Sequence, residues 1–421
     1  MKINFTVFIS TIFSFASLIS CQNDSSDDVA NVPSEKEVKS DEIFLAKDLA
    51  IKYIADADEK EKSNSKTKLK SSWDAREFSY NGKKLKFKTN VYGNKPSDGR
   101  SLYISMHGGG LTTATANDEQ WSNQISMTGN NAQNYNIKEG VVIVPRAPVD
   151  DWNMWFQSEI DNLFEDAIRA AVLFADVNPN KVYIMGYSAG GDGTFRLATR
   201  MADHWAAASM SAGHPGECTP ANLRNIGFAL NMGGLDSSYN RNILAREWKT
   251  KLDNLALADP AGYKHMVNIF DDKPHWMDME DRIAVPFMAS FKRQPYPDKI
   301  VWEQNSFHIR QYFYWVGISE ADTKVKEISD NPTKTIKISY AGNIINIEEN
   351  YADELFIYLN DKMLDLDKEV VVNYKGNSIF AGKVKRSTTV ITQTAAERKD
   401  GDYIFSARLV VSKNKKVIVT N

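Results

Sequence analysis

The sequence predicts a largely parallel β-sheet with helices on both faces, followed by a small all-β unit. Three observations carry this. Between Arg100 and Phe270 short apolar runs alternate with amphipathic runs of helical period, the pattern of a parallel sheet covered on both sides. After Pro297 the runs become short and alternating and are separated by turn residues, as in antiparallel structure. Where one apolar run gives way to a helical one, KVYIMGYSAGGDGTFRLATRM sets a single serine, Ser188, between glycines.

The chain opens with MKINFTVFISTIFSFASLISCQNDSSDD, in which Lys2 precedes an apolar run ending in small residues, the layout of a secretory signal over residues 1–20. The segment Leu18-Ile19-Ser20-Cys21 resembles the lipobox of bacterial lipoproteins, which implies that Cys21 is lipidated and becomes the first mature residue. The QNDSSDD that follows is similar to the acidic export signal of some Bacteroidetes lipoproteins, which implies an extracytoplasmic protein held at the outer membrane. Residues 21–72 are polar and charge-rich and read as a solvated tether, with a short helix over 41–55. With Cys21 lipidated, Cys218 has no intramolecular partner.

Folded structure is expected from Trp73. The run REFSYNGKKLKFKTNVYG, with Asn81-Gly82 between alternating residues, predicts a hairpin with a type I′ turn. Strands are expected at RSLYISMH, VVIVPR, VYIMG, AAASMS, IGFALNM and HMVNIF, and helices over 159–175, 190–201 and 240–257. Ser158 and Asp161 suggest a capping box for the first of these helices. Residues 298–421 contain eight strand-like runs, beginning with KIVWEQ and ending with YIFSARLVV, and one helix over 388–398. The domains are therefore 73–297, carrying the chemistry, and 298–421, all-β.

Composition narrows the function. Of 421 residues, 51 are Lys or Arg and 54 are Asp or Glu, and no basic stripe is interleaved with aromatics, so a nucleic-acid partner is not expected. No metal-ligating or phosphate-cradling pattern is present, and no cofactor is expected.

The motif Gly186-Tyr187-Ser188-Ala189-Gly190 matches G-x-S-x-G, in which a sharp strand-to-helix turn raises the serine hydroxyl above the sheet. Such a serine needs a base, an orienting acid and an oxyanion site. Of the six histidines, His275 follows the last strand of the α/β region, where the topology delivers a loop to the serine. His204 and His265 lie at unsuitable ends of their elements and His308 belongs to the β-rich unit, while His214 competes and is assigned to the pocket. Asp236, in the loop after IGFALNM, gives the order Ser, Asp, His. The run His107-Gly108-Gly109-Gly110 resembles the HGGG oxyanion loop of lipases and esterases, which assigns the amides of Gly109, Gly110 and Ala189 to the oxyanion hole. Trp152 and Trp155, in VDDWNMWF, are candidates for the pocket mouth, as is Trp121.

Together these features resemble the α/β-hydrolase superfamily, in its secreted branch of polyhydroxybutyrate-depolymerase-like, feruloyl-esterase-like and prolyl-oligopeptidase-like serine hydrolases. The resemblance covers about Trp73 to Pro297. It implies a serine hydrolase that cleaves carboxylic esters of a small molecule or an acylated polymer through an acyl-enzyme; the expected surface anchor and the aromatic loops make acyl groups on polysaccharides the preferred class. A serine peptidase uses the same constellation, and a glycan-binding lipoprotein on an inactive hydrolase fold is the reading from another class.

Overall fold

The computed structural model describes residues 45–131, 134–304, 308–324 and 334–420. The signal over residues 1–20, Cys21 and the start of the tether lie outside the described residues.

From Lys47 the expected tether is a 29-residue helix, α1 (Lys47–Ala75), which ends where Arg76 turns left-handed. Its first turns, from Lys47, coincide with the helix expected over 41–55, but beyond Ala55 its apolar residues are too widely spaced to announce a helix, because it buries a few of them at two separate places. Ala50, with Ile54 and Ala57 beside it, packs on Ile391, Ala395 and Ile404. Trp73 packs on Phe87 and Phe174. Helical stability here comes from distant partners, which a local pattern cannot record.

The central sheet has eight strands: β1 (Glu77–Tyr80), β2 (Lys83–Tyr92), β3 (Arg100–Met106), β4 (Gly140–Pro145), β5 (Val177–Tyr187), β6 (Ala207–Ser211), β7 (Gly227–Gly233) and β8 (His265–Phe270). Asn81 and Gly82 both take positive φ, as the type I′ turn between β1 and β2 requires. The strand order is β1-β2-β4-β3-β5-β6-β7-β8, with β2 antiparallel to its neighbours and β3 to β8 parallel. This is the α/β-hydrolase fold. The faces are covered by α2 (Ala114–Gln124), which runs into a π-helical turn at Ile125–Gly129, and by α3 (Ser158–Phe174), α4 (Ala189–Arg200), α5 (Arg241–Ala258) and α6 (Ala284–Ala289).

The expected capping box does not form. Ser158 lies inside α3 and its hydroxyl bonds Glu159, while Asp161 is buried against Arg200 and Arg310. Burial alone would raise the Asp161 carboxyl, but the two guanidiniums hold it below the ordinary range.

The C-terminal region adds β9 (Lys299–Gln304), β10 (Tyr312–Phe313), β11 (Val316–Ile318), α7 (Glu320–Thr323), β12 (Lys334–Ala341), β13 (Ile344–Glu349), β14 (Glu354–Leu359), β15 (Val370–Tyr374), β16 (Asn377–Gly382), α8 (Thr388–Arg398), β17 (Ala407–Ser412) and β18 (Val417–Val419). They form two five-stranded sheets, β10-β11-β14-β17-β18 and β16-β15-β13-β12-β9. Packing continues across Pro297, since one apolar cluster runs from Leu102 and Phe228 to Trp302, Trp315 and Leu409. Polar contacts reinforce the seam: Arg310 bonds Asp161 and Glu165, and Tyr403 donates to the carbonyl of Asp203.

Candidate active site

Ser188 stands between β5 and α4 with φ 58° and ψ −120°, a region that residues other than glycine rarely occupy. The fully buried run Val182, Tyr183 and Ile184 fixes the strand beneath it, and its N–H donates to the carbonyl of Ser211 on β6 (2.9 Å). A β-carbon on Gly190 would stand 2.3 Å from the carbonyl oxygen of Met106, so glycine is what lets α4 approach the end of β3.

The loops after β7 and β8 bring Asp236 and His275 to this serine. They are joined by a hydrogen bond from the N–H of Leu235 to the carbonyl of Lys273 (3.0 Å). His275 Nε2 lies 2.9 Å from Ser188 Oγ, and His275 Nδ1 lies 2.6 Å from Asp236 Oδ2. A carboxylate accepts only, so Nδ1 carries the proton and Nε2 presents a lone pair to the serine hydroxyl. Asp236 is buried, with Arg241 Nη1 3.8 Å from its other oxygen, whereas the His275 side chain is partly open to solvent.

The loop after β3 also comes close to the nucleophile, and a β-carbon on Gly108 would stand 3.2 Å from Ser188 Cβ. His107 is fully buried under it. Its Nε2 accepts from the N–H of Ala147 (3.1 Å), so the proton sits on Nδ1 and is donated to the carbonyl of Gly108 (2.6 Å). Burial pulls its pKa down to about 4, and the ring is a neutral prop for the loop. Gly109 faces the same cavity as Ser188. Gly110 does not fill the role expected of it, because its N–H donates to Asn117 Oδ1 (2.8 Å). Asn117 is fixed in turn by Asp150 (2.8 Å), which pairs with Arg146 (2.6 Å).

Ser188 and His275 open into a cavity of about 730 Å³. It is lined by Gln120, Asn123 and Gln124 of α2, by Ser126 and Met127 of the π-helical turn, by Asn134, and by Tyr187, Trp276 and Met279. The pocket residues expected from sequence lie elsewhere. Trp155 is fully buried beneath the loop, donating Nε1–H to the carbonyl of His107 (2.9 Å). Trp152 is exposed with its ring against Phe156. His214 accepts from the N–H of Gly216 through Nδ1 and is turned into its own loop. Trp121 sits on α2 and donates to the carbonyl of Val144. Tyr187 occupies a variable position of the G-x-S-x-G motif, which gives it no role of its own. The α2 carboxamides gave no signal, because ATANDEQWSNQ has no apolar stripe.

Behind Ser188 lies a buried acid. Asp281 accepts from Ser211 Oγ (2.8 Å) and from Tyr135 Oη (3.1 Å), and burial pushes it up to about 6. Among the described residues, no group of three or more His, Cys, Asp or Glu side chains is placed to hold a metal ion.

No family model matches the chain, and no curated protein matches it. Among solved structures it is similar to a thermostable esterase at 16% identity, over 52% of this chain and 63% of the other, with a TM-score of 0.40. It is similar to a fluorophosphonate-binding serine hydrolase of Staphylococcus aureus at 15% identity, over 51% of this chain and 96% of the other, with a TM-score of 0.33. A third is a ferulic acid esterase of Anaeromyces mucronatus at 12% identity, over 52% of this chain and 95% of the other, with a TM-score of 0.31. The chemistry of the site stands on its own geometry.

Proposed function

We propose that the chain is a serine hydrolase that cleaves carboxylic esters through an acyl-enzyme intermediate. The observation that carries this reading is the continuous relay from Ser188 Oγ through the His275 ring to Asp236, at the mouth of an open cavity. Ser188 Oγ attacks the ester carbon while His275 Nε2 takes its proton, and Asp236 holds the ring and stabilises the imidazolium. The same proton is then given to the leaving alcohol. Water repeats the sequence on the acyl-enzyme and restores the serine. The amides of Gly109 and Ala189, the latter at the amino end of α4, receive the oxyanion.

We further propose a neutral acyl donor, with acyl groups on polysaccharides as the preferred class. Support comes from the cavity lining, which sets the carboxamides of Gln120, Asn123, Gln124 and Asn134 with Trp276 and Tyr187 and includes, among the described residues, no Asp, Glu, Lys or Arg. Residues 73–297 would carry the chemistry and 298–421 would buttress them. Lipid attachment at Cys21 and an outer-membrane location rest on the amino-terminal sequence alone. Fatty-acid labelling of the native chain, lost in Cys21→Ser, checks them.

The decisive experiment is labelling of residues 22–421 with a fluorophosphonate, followed by turnover of short-chain aryl esters. Ser188 is expected to be the one site labelled. Turnover should fall by about 10⁶-fold in Ser188→Ala and His275→Ala, and by about 10⁴-fold in Asp236→Asn. A native protein that neither labels nor turns over ester would sink the reading.

A further inference from the structure

Gly110 leaves the oxyanion site one donor short of the set its loop suggests, because its N–H is tied to Asn117. The carboxamides nearby are not equivalent. Asn117 is engaged by both Gly110 and Asp150, and Gln124 Nε2 donates to Ser105 Oγ (2.7 Å). Gln120, one turn after Asn117 on α2, is exposed to the cavity instead. Its side chain lies over the glycine loop: a β-carbon on Gly109 would stand 3.5 Å from Gln120 Cγ. A β-carbon on Gly108 would stand 3.2 Å from Ser188 Cβ and 3.5 Å from Gln120 Oε1. The end of the Gln120 carboxamide and the nucleophile therefore both reach the bare face of Gly108, where the carbonyl oxygen of Tyr187 is the third neighbour at 3.4 Å, and a half-turn of the amide puts Nε2 where Oε1 now points.

We infer that Gln120 is a catalytic residue whose side-chain N–H joins the amides of Gly109 and Ala189 on the oxyanion. The inference rests on the serine-hydrolase reading of the same site. When Ser188 Oγ bonds the carbonyl carbon, the C=O π pair moves to oxygen and the serine proton moves to His275. Gln120 is hydrogen-bonded to that oxygen and gives up no proton. The same oxyanion forms in deacylation, so the contribution does not depend on the leaving group.

The test uses residues 22–421 with 4-nitrophenyl acetate, ethyl acetate and a trifluoromethyl ketone, whose hemiketal with Ser188 places an oxyanion in the site. Gln120→Ala is expected to lower kcat by about 10²-fold on both esters with KM little changed, and to weaken the ketone by a similar factor. Gln120→Glu should not restore the rate. Because Gln120 is exposed, both variants should fold, and an unchanged melting temperature checks this. Native turnover with Gln120→Ala at parity overturns this inference alone. A loss that follows the alcohol, with ketone affinity unchanged, overturns it by placing Gln120 on the leaving group. A native chain that neither labels nor turns over ester removes both readings together.

Discussion

The hydroxyl of Tyr187 donates to the backbone carbonyl of His275 (2.7 Å) and accepts from the N–H of Met277 (2.8 Å). The residue before the nucleophile thus clamps the loop that carries the base, and strand β5 sets the position of both. Burial drives the phenol far above its ordinary range, so it remains a donor at any working pH. Tyr187→Phe would leave a carbonyl and an amide unpaired and let the imidazole drift. We expect kcat on aryl acetates to fall by about tenfold, with KM nearly constant and slower fluorophosphonate labelling. Labelling and kcat at the native rate would show that the loop is held by other means.

Gly190 has its own test. Beyond the carbonyl of Met106 at 2.3 Å, an added β-carbon would meet that of His107 at 2.9 Å, and both are backbone atoms that cannot swing aside. Gly190→Ala should therefore push α4 off the sheet and displace Ser188, with a loss of stability of about 1–3 kcal/mol or more and no labelling. Normal labelling with an unchanged melting temperature would mean that the elbow has slack.

Much of this was legible in the sequence. The order of strands and helices from Glu77 to Phe270 apart from α2, Ser188 at its turn, and the loops holding Asp236 and His275 all follow from local patterns. Periodicity and turn residues are local properties and survive reading one residue at a time. Distant partnerships do not. Helix α1 exists because Ala50 and Trp73 find partners far along the chain, and Asp161 leaves its expected cap because Arg310 arrives from a segment far along the sequence. The pocket was misplaced for the same reason, since whether Trp155 faces substrate or the underside of His107 depends on how a loop folds back.

Asp281 predicts a pH dependence of stability. Burial lifts its carboxyl from 3.8 to about 6 despite the donors of Ser211 and Tyr135. An acid raised by folding imposes no penalty below its unfolded value; the penalty grows between about pH 4 and 6 and is constant above, at about 3 kcal/mol. Asp281→Asn keeps an acceptor for both hydroxyls without the charge. It should therefore melt above the native protein at about pH 8 and lose that advantage by about pH 4. A difference independent of pH would show that Asp281 is not the titrating group.

Arg310 tests whether the β-rich region is a buttress or an appended module. Its guanidinium bonds Asp161 (2.9 Å) and Glu165 (2.8 Å) from a side chain 11% exposed, so it ties the segment before β10 to helix α3. In Arg310→Met, Asp161 keeps Arg200 but loses the second cation that offsets its burial, and Glu165 loses its guanidinium partner. Breaking such a pair costs about 3 kcal/mol, while Ser188, His275 and Asp236 are untouched. Unfolding should therefore begin at a lower temperature, with aryl acetate turnover at room temperature within about twofold of native. The continuous apolar cluster across Pro297 further requires that unfolding stay a single transition in the variant. Two separated transitions, the later one retaining ester turnover, would instead mean that residues 298–421 unfold on their own and that the catalytic part does not depend on them.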